Sequence, residues 1–565
     1  MAASNAGSQE GDARPGERDA RGLGATGAPL ELPTWQQIVL AIPEEDKTPT
    51  VRLLLGVIDE LSQRLAEQSQ RVQTLEAELA RLKGDEQKPR SNSKPSTLSQ
   101  PPKAPPADGK RPGSAKRSKT SELTIHQEVP VTPKNLPPGS TFLRHSPFVV
   151  QDLAITAKNT RYLLETWRTP EGKEVHAELP AGIRGHFGPG LIGFVLQQHY
   201  ATHVPQPRIL EELHDFGIDI SSGQINNIVT EKHDTFHAEK DALLPAGLQS
   251  KYVNVDDSGA PHQGRYGSCL CISNDFFTTY HSSETKERSK FLDVLRCGHT
   301  DYVLNEIAWS YLVKQGLPQK VLGALQNHAQ QTFADANAWK EHLDALEITS
   351  VKHRQTATEA ALLGSVVAHG VSPELGIVSD GAAQYAMFVH GLCWVHQERN
   401  LAKLVPCGTE QCQAHEQVLA SIWQLYGELK AYRLAPSPSQ VEKLSASFDT
   451  IVSRTTCFPE LNAALTRMGG NKADLLRVLE RPDMPLHTNT VERDFRDWAT
   501  KRKISAGTRS DLGKRCRDTF LSLKSSCKKL GIRFWAYLQD RLLGAGQIPE
   551  LSELVRQKAT GSATI

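Results

Sequence analysis

The chain reads as a multidomain α/β protein: a coiled coil, a helical domain, and an α/β core with helical insertions. Three observations predict this. Leu54, Ile58, Leu61, Leu65, Gln68, Val72, Leu75, Leu79 and Leu82 alternate steps of four and three, the spacing of a heptad seam. From Lys251 onward, short runs of β-branched and aromatic residues end in an amphipathic helical pattern. Two later stretches, 299–370 and 408–485, carry helical periodicity, and strand-like runs flank the first.

At 565 residues the chain has room for several cores, and 38% hydrophobic content is low enough to point to an unfolded portion. A net charge of +1 excludes any argument about partners from bulk charge, so the basic clusters matter instead. The nine cysteines form no even framework, and the N-terminus lacks an apolar signal region. A reducing, cytoplasmic setting with free thiols is expected. No apolar run approaches the roughly 18–20 residues of a membrane span, so no membrane contact is expected, and GLIGFVL reads as a core helix.

Residues 1–32 offer almost nothing to bury and read as disordered. The coiled coil occupies 33–84, with Thr34 as a helix cap before Trp35 and Ile38. With Leu54 at position d, Arg71 faces Glu76 and Glu78 faces Lys83 across a parallel dimer. The alternative is a solvated helix packed on its own domain; unbroken heptads favour a homo-oligomer. Residues 85–140 form a Pro/Ser-rich basic linker, read either as a spacer or as a tether that scans phosphates.

A helical domain is expected over 141–245. PRILEELH, a turn at Gly217 and SSGQINNIV give a helix-turn-helix-like segment with Ser221 or Ser222 as cap. Gln224, Asn226 and Asn227 then lie on or near an exposed face, where amide side chains read base edges. Such hairpins are also ordinary packing units.

The α/β core is expected over 246–545, followed by a tail, 546–565. Tyr252, Val253 and Val255 form a strand with Asp256 and Asp257 at its end; GSCLCIS and FFTTYHSS are the next strands, and ETKERSKFLDVL a helix. Three strands and then a helix is the first half of a ribonuclease-H-like domain. GIVSDG is a buried strand ending on Asp380, with a helix expected over 382–390, and NTVERDFRDWATKRK is a basic helix bearing Glu492.

Phosphodiester chemistry needs a nucleophilic oxygen, a stabilised leaving oxygen and charge neutralisation, which two Mg²⁺ ions about 4 Å apart supply together. Mg²⁺ takes few protein oxygens, so three carboxylates suffice. Asp256, Asp380 and Glu492 are the candidates for catalysis and metal binding, with acids from strand ends and a late helix meeting at one sheet edge. Each has a plainer reading: Asp257 as a turn residue, Asp380 as a cap, Glu492 paired with Arg496. Arg493, Arg496, Lys501, Arg502 and Lys503 follow Glu492 and suit DNA phosphates; the alternative is a solvated basic face.

The order DDSGAPHQG, VSDGAAQY, HGLCWVHQERN and TNTVERDFRDWATKRK resembles transposases of the IS sixty-six group of bacterial insertion sequences. The resemblance covers roughly 190–540. It implies a DDE triad at Asp256, Asp380 and Glu492 with Mg²⁺ or Mn²⁺, two ions. It also implies a DNA transposase that binds element ends, cleaves with metal-activated water and joins 3′ ends to target DNA. Small element-encoded accessory proteins and a nucleoid-associated location in a bacterial cytoplasm follow from the same likeness. DDSG departs from the family's DET, which leaves Asp256 and Asp257 both open as first ligand. The family's cysteine-rich zinc segment is missing, since residues 85–190 contain no cysteine. Cys393 and His396 match the family as auxiliary residues. Cys407, Cys412 and His415 lie close in sequence but fit no standard zinc spacing. Two other functions compete: a catalytically decayed DNA-binding regulator or accessory protein of a mobile element, and a nuclease that cuts without joining.

Overall fold

The computed structural model describes residues 48–52, 54–58, 60–61, 124–180, 183 and 185–561. The chain divides into two compact units, Met1–Lys94 and Pro95–Ile565. In the first, residues 49–52, 54–58 and 60–61 are helical, and Leu54, Ile58 and Leu61 of the expected seam are exposed. The rest of the coiled coil, the segment 1–32 and the linker up to residue 123 lie outside the described residues.

In the second unit, residues 124–180 are almost all exposed and include a hairpin of β1 (Thr166–Arg168) and β2 (Glu174–His176). Packing was expected from about 141 and starts only at Phe187, which is half-buried against the core. The apolar residues before it, such as Phe142, Leu143, Val150 and Leu163, follow neither a helical nor a strand period, so they make no face to bury. α1 (Pro189–Leu196) starts on a proline, whose missing N–H is harmless in a first turn, and runs into a π turn, Gln197–Ala201. That turn carries Tyr200 inward onto Phe520, ring centroids 4.6 Å apart.

α2 (Gln206–Asp215) and α3 (Ser222–Thr230) follow with the expected turn between them. Gly217 takes φ +76°, and the Ser221 hydroxyl accepts from the Gln224 amide at 3.2 Å. Ile209, Leu213, Ile225 and Val229 are buried; Asn226 and Asn227 are exposed and Gln224 half-buried. α4 (Asp234–Gly247) leads to the sheet.

β3 (Tyr252–Gly259), β4 (Ser268–Ser273) and β5 (Thr278–Ser283) form an antiparallel meander, and α5 (Arg288–Leu295) follows, in the expected order. β3 is longer than its alternation indicates. Asp256 and Asp257 lie within it, opposite Cys271 and Leu270, rather than at its end. Backbone partners on β4 hold even Ser258 and Gly259 in the ladder.

The first insertion comprises β6 (Tyr302–Val303), α6 (Glu306–Lys314), α7 (Gln319–Gln326), β7 (Thr332–Phe333), α8 (Ala336–Ala345) and α9 (Val351–Ala368). Asn305, Asp335 and Ser350 cap α6, α8 and α9 through their side chains. Trp339, Leu343, Ala361 and Val366 share one core with Val253 and Val255 of the sheet.

β8 (Gly376–Ser379) and β9 (Val389–Leu392) pair in parallel, completing the order β5-β4-β3-β8-β9. The helix expected over 382–390 does not form. Gly381 (φ +107°) and Phe388 (φ +54°) bracket a short 3-10 turn, Ala383–Tyr385, and β9 bonds its backbone to β8 instead. α10 (Trp394–Ala402) leads into the second insertion: α11 (Thr409–Leu434), α12 (Pro438–Val452), α13 (Pro459–Gly470) and α14 (Lys472–Leu475). This has its own core around Ile422, Leu429, Phe448 and Leu461, which also takes Trp394.

α15 (Asn489–Ser505) covers the opposite face of the meander, packing Val491, Phe495 and Trp498 on Cys269, Cys271 and Tyr280. Its half-buried acids are paired. Asp494 accepts from Lys529 at 2.7 Å and Thr278 at 2.9 Å, and Asp497 from Lys524 at 2.7 Å. α16 (Asp511–Leu530) and α17 (Phe534–Leu543) complete the core. The segment read as a tail contains α18 (Leu551–Ala559), with Leu551 and Val555 buried and the Leu551 amide donating to Glu239 at 3.0 Å. The mixed α/β arrangement is consistent with a ribonuclease-H-like core. No described helix is long and apolar enough to cross a membrane.

Candidate active site

β3 and β8 run parallel with Asn254 opposite Val378. Two residues further along, that register sets Asp256 beside Asp380, on one face of the sheet. Asp380 stands just past the end of β8, where its Oδ1 accepts from the Ala382 amide at 3.0 Å and shapes the turn. Asp256 Oδ1 accepts from the Asp257 amide at 2.8 Å. α15 covers this same face, and Glu492 sits in its first turn, where the helix dipole favours a carboxylate.

The electrostatics register the convergence. Burial, then the charge of Asp380, pushes the Asp256 carboxyl up to about 7, with Asp257 and Glu492 adding to the effect; only the Asp257 amide opposes it. The carboxylates of Asp380 and Glu492 thus both act on that of Asp256. As hard oxygen donors they fit Mg²⁺ or Mn²⁺ chemically. Among the described residues no group of three or more His, Cys, Asp or Glu side chains is close enough to hold a metal ion.

Asp257 points the other way, as strand alternation requires. Its Oδ2 accepts from the Tyr385 hydroxyl at 2.7 Å and the Gln384 amide at 3.3 Å, and its Oδ1 is paired with Lys286. The acid that shares a face with Asp380 is therefore Asp256.

Glu492 does not pair with Arg496, the partner its helix spacing offered. Arg399 on α10 reaches it instead, Nη1 to Oε1 and Nη2 to Oε2, both at 3.3 Å. His396 Nε2 lies 3.9 Å from Oε1. Burial lowers the His396 pKa, against the opposing pull of Glu492 and Asp380. Cys393 is fully buried, and its Sγ accepts from the Thr488 amide at 3.3 Å, so it anchors the start of α15. His415 Nε2 bonds the Leu401 carbonyl at 2.9 Å.

The model for the "Transposase IS66 family" matches residues 184–287 and 314–515, just over half of the chain. The chain belongs to the IS66 transposase family. An uncharacterized protein of Sinorhizobium fredii (strain NBRC 101917 / NGR234), y4jO, is 39% identical to it over 321 residues, 56% of this chain and 100% of the relative. Membership supports a transposase role in DNA mobility and the potential for enzymatic activity.

The basic residues of this IS66-family helix divide by position. Arg493, Arg496 and Lys503 are exposed. Lys501, expected to face DNA, is 2% exposed; its Nζ donates to the His199 carbonyl at 2.7 Å and lies over the Tyr200 ring. It continues the buried stripe of Val491, Phe495 and Trp498 at helical spacing, which explains its direction. Arg502 is half-buried, bonded to the Gly259 carbonyl and, at 3.2 Å, to Ser258 Oγ.

Sequence reasoning missed three supports of the site. Arg399 was visible in HQERN but carried no spacing signal. Lys286 and the chain Ser379–His390–Asp474 (Oγ to Nε2 2.9 Å, Nδ1 to Oδ2 2.8 Å) become partners only through the fold.

Proposed function

We propose that this chain is a DDE-type DNA transposase: it binds element ends, cleaves phosphodiesters there and joins the freed 3′ ends to target DNA. The observation that carries the reading is the in-register placement of Asp256 and Asp380 at adjacent parallel strands, with Glu492 arriving on the helix that covers their face. Asp256, Asp380 and Glu492 would hold the divalent cations. Two Mg²⁺ or Mn²⁺ ions bound there supply nucleophile activation, leaving-group stabilisation and charge neutralisation.

The chain's own residues position the DNA. Arg493, Arg496 and Lys503 present exposed cations beside Glu492, suited to phosphate oxygens. Gln224, Asn226 and Asn227 offer amides for base edges from α3, and the heptad seam offers a dimer. Cleavage attaches water oxygen to the scissile phosphorus and releases a 3′ hydroxyl; in the second step that hydroxyl attacks a target phosphorus, and the target strand's own 3′ oxygen leaves as a hydroxyl.

Asp380→Asn tests the triad. Mg²⁺-dependent cleavage of element-end DNA and strand transfer should both fall by about a thousandfold or more while end binding persists. Undiminished cleavage would sink the assignment. End binding by wild-type protein with no cleavage under any divalent cation would favour a decayed regulator.

A further inference from the structure

The pairing of Arg399 with Glu492 differs from an ordinary structural ion pair. Both carboxylate oxygens are engaged, yet each contact is 3.3 Å, long beside the roughly 2.8 Å usual for charge-assisted bonds. Both side chains are only 15% exposed, so water does little to screen or replace the contact. The Arg399 Nε and the His396 Nδ1 are buried with no hydrogen-bond partner among the described residues. A guanidinium chosen only to neutralise Glu492 would use its donors more fully, because an idle buried donor is costly.

The pair also stands where two other partners are needed. A carboxylate held at both oxygens by a guanidinium is not free to ligate a cation, and no metal-ready cluster exists among the described residues. A scissile phosphodiester presents two non-bridging oxygens, a geometry that the arginine fork matches.

We propose that Arg399 is a guard and then a substrate ligand: it holds Glu492 out of the cation site in the resting protein, and exchanges that carboxylate for a DNA phosphate oxygen when cations and DNA enter together. The inference rests on the reading of Asp256, Asp380 and Glu492 as cation ligands. The exchange conserves charge, since the guanidinium passes from one anion to another while Glu492 passes from one cation to another. Only side chains need move, because the Cys393–Thr488 contact ties the start of α10 to that of α15. The arrangement would keep the resting protein from assembling its cation site away from DNA.

The test is Mn²⁺ binding to the full-length protein by titration calorimetry, with and without an element-end duplex. In the absence of DNA, Arg399→Gln should bind Mn²⁺ about tenfold more tightly than wild type, because the competitor for Glu492 is gone. With DNA present the advantage should disappear and strand cleavage should fall about a hundredfold, because a phosphate ligand is lost. Arg399→Lys keeps charge and stem but not the fork, and covers the case in which the glutamine variant does not fold. It should show a smaller rise in DNA-free Mn²⁺ affinity and a comparable loss of cleavage. Unchanged or weaker DNA-free Mn²⁺ binding in the folded variant overturns the guard role. Asp380→Asn separates the two readings: if it leaves Mn²⁺ binding intact, the cation site itself is misassigned. If it abolishes binding while the Arg399 variants leave affinity unchanged, only the guard fails.

Discussion

The Tyr385 hydroxyl donates to Asp257 Oδ2 at 2.7 Å and so ties the turn that follows Asp380 to the strand that carries Asp256. One member of the adjacent pair of aspartates faces the proposed cation site, and the other holds the turn beside Asp380 in place. Tyr385 also packs edge-on against Phe291 of α5, which fixes its ring. Replacing Tyr385 by Phe removes one hydrogen bond and should cost about 1 kcal/mol in urea unfolding. It should also lower cleavage by about tenfold through a misplaced Asp380. Asp257→Asn should lose a similar amount, whereas Asp256→Asn should abolish cleavage; equal loss in both aspartate variants would contradict the division of roles.

Asp256 makes the metal-free protein less stable as pH rises. Its carboxyl titrates near 7 in the fold and near 4 in the unfolded chain. Between those values the unfolded state releases a proton that the folded state retains, so stability falls from about pH 4 to about pH 7 and is then level. Asp256→Asn removes that cost. In EDTA at pH 8 it should unfold later than wild type, by on the order of 2 kcal/mol. The gain should vanish near pH 4, and thermal melts at the two pH values measure it.

Lys501 has the opposite sign of dependence. Burial, followed by the charges of Arg517 and Lys524, lowers its pKa to about 7. The unfolded chain keeps that proton up to about pH 10, so this group's contribution to stability rises between about pH 7 and pH 10. Lys501→Met should therefore be neutral or stabilising at pH 6 in a denaturant titration. It should also leave the salt dependence of DNA binding unchanged. Removing Arg496 or Lys503, which are exposed, should reduce the slope of log affinity against log salt by about one each.

Ser379, His390 and Asp474 are hydrogen-bonded in the order of a hydrolase triad, but Ser379 is fully buried and no substrate reaches its Oγ. The chain is a strut: the Gly381 amide also donates to Ser379 Oγ at 3.3 Å, holding the turn at Asp380. Asp474→Ala should destabilise the protein by about 1–3 kcal/mol in chemical denaturation, because it strands a buried histidine. Native protein should not react with a serine-directed fluorophosphonate; labelling of Ser379 would refute the strut.

Much of the site was legible because its acids sit on strongly patterned elements. The alternation of KYVNV and the apolar run of GIVS mark adjacent strands, and a helix with its acid in the first turn is written in NTVERDFR. What periodicity does not carry is pairing. The end of β3 was misplaced because Asp257, Ser258 and Gly259 are poor strand formers, kept extended only by β4. β9 read as helix because VHGL is too short for its period to speak, and its neighbour β8 decides the matter. The burial of Lys501 was written in its spacing from Trp498, but its charge pointed outward.

The second insertion leaves and rejoins the core at one place. The Trp394 amide donates to the Leu486 carbonyl at 2.9 Å, and the Thr488 amide to the Cys393 thiol at 3.3 Å. With its base stitched shut, the excursion has little mechanical leverage on Glu492. Its length enters the energetics only through a slowly growing logarithm. The exposed Ala435-Pro436 link between α11 and α12 is therefore a natural splice point. A fluorescent or programmable DNA-targeting domain grafted there would ride on the protein without disturbing the acids beneath it.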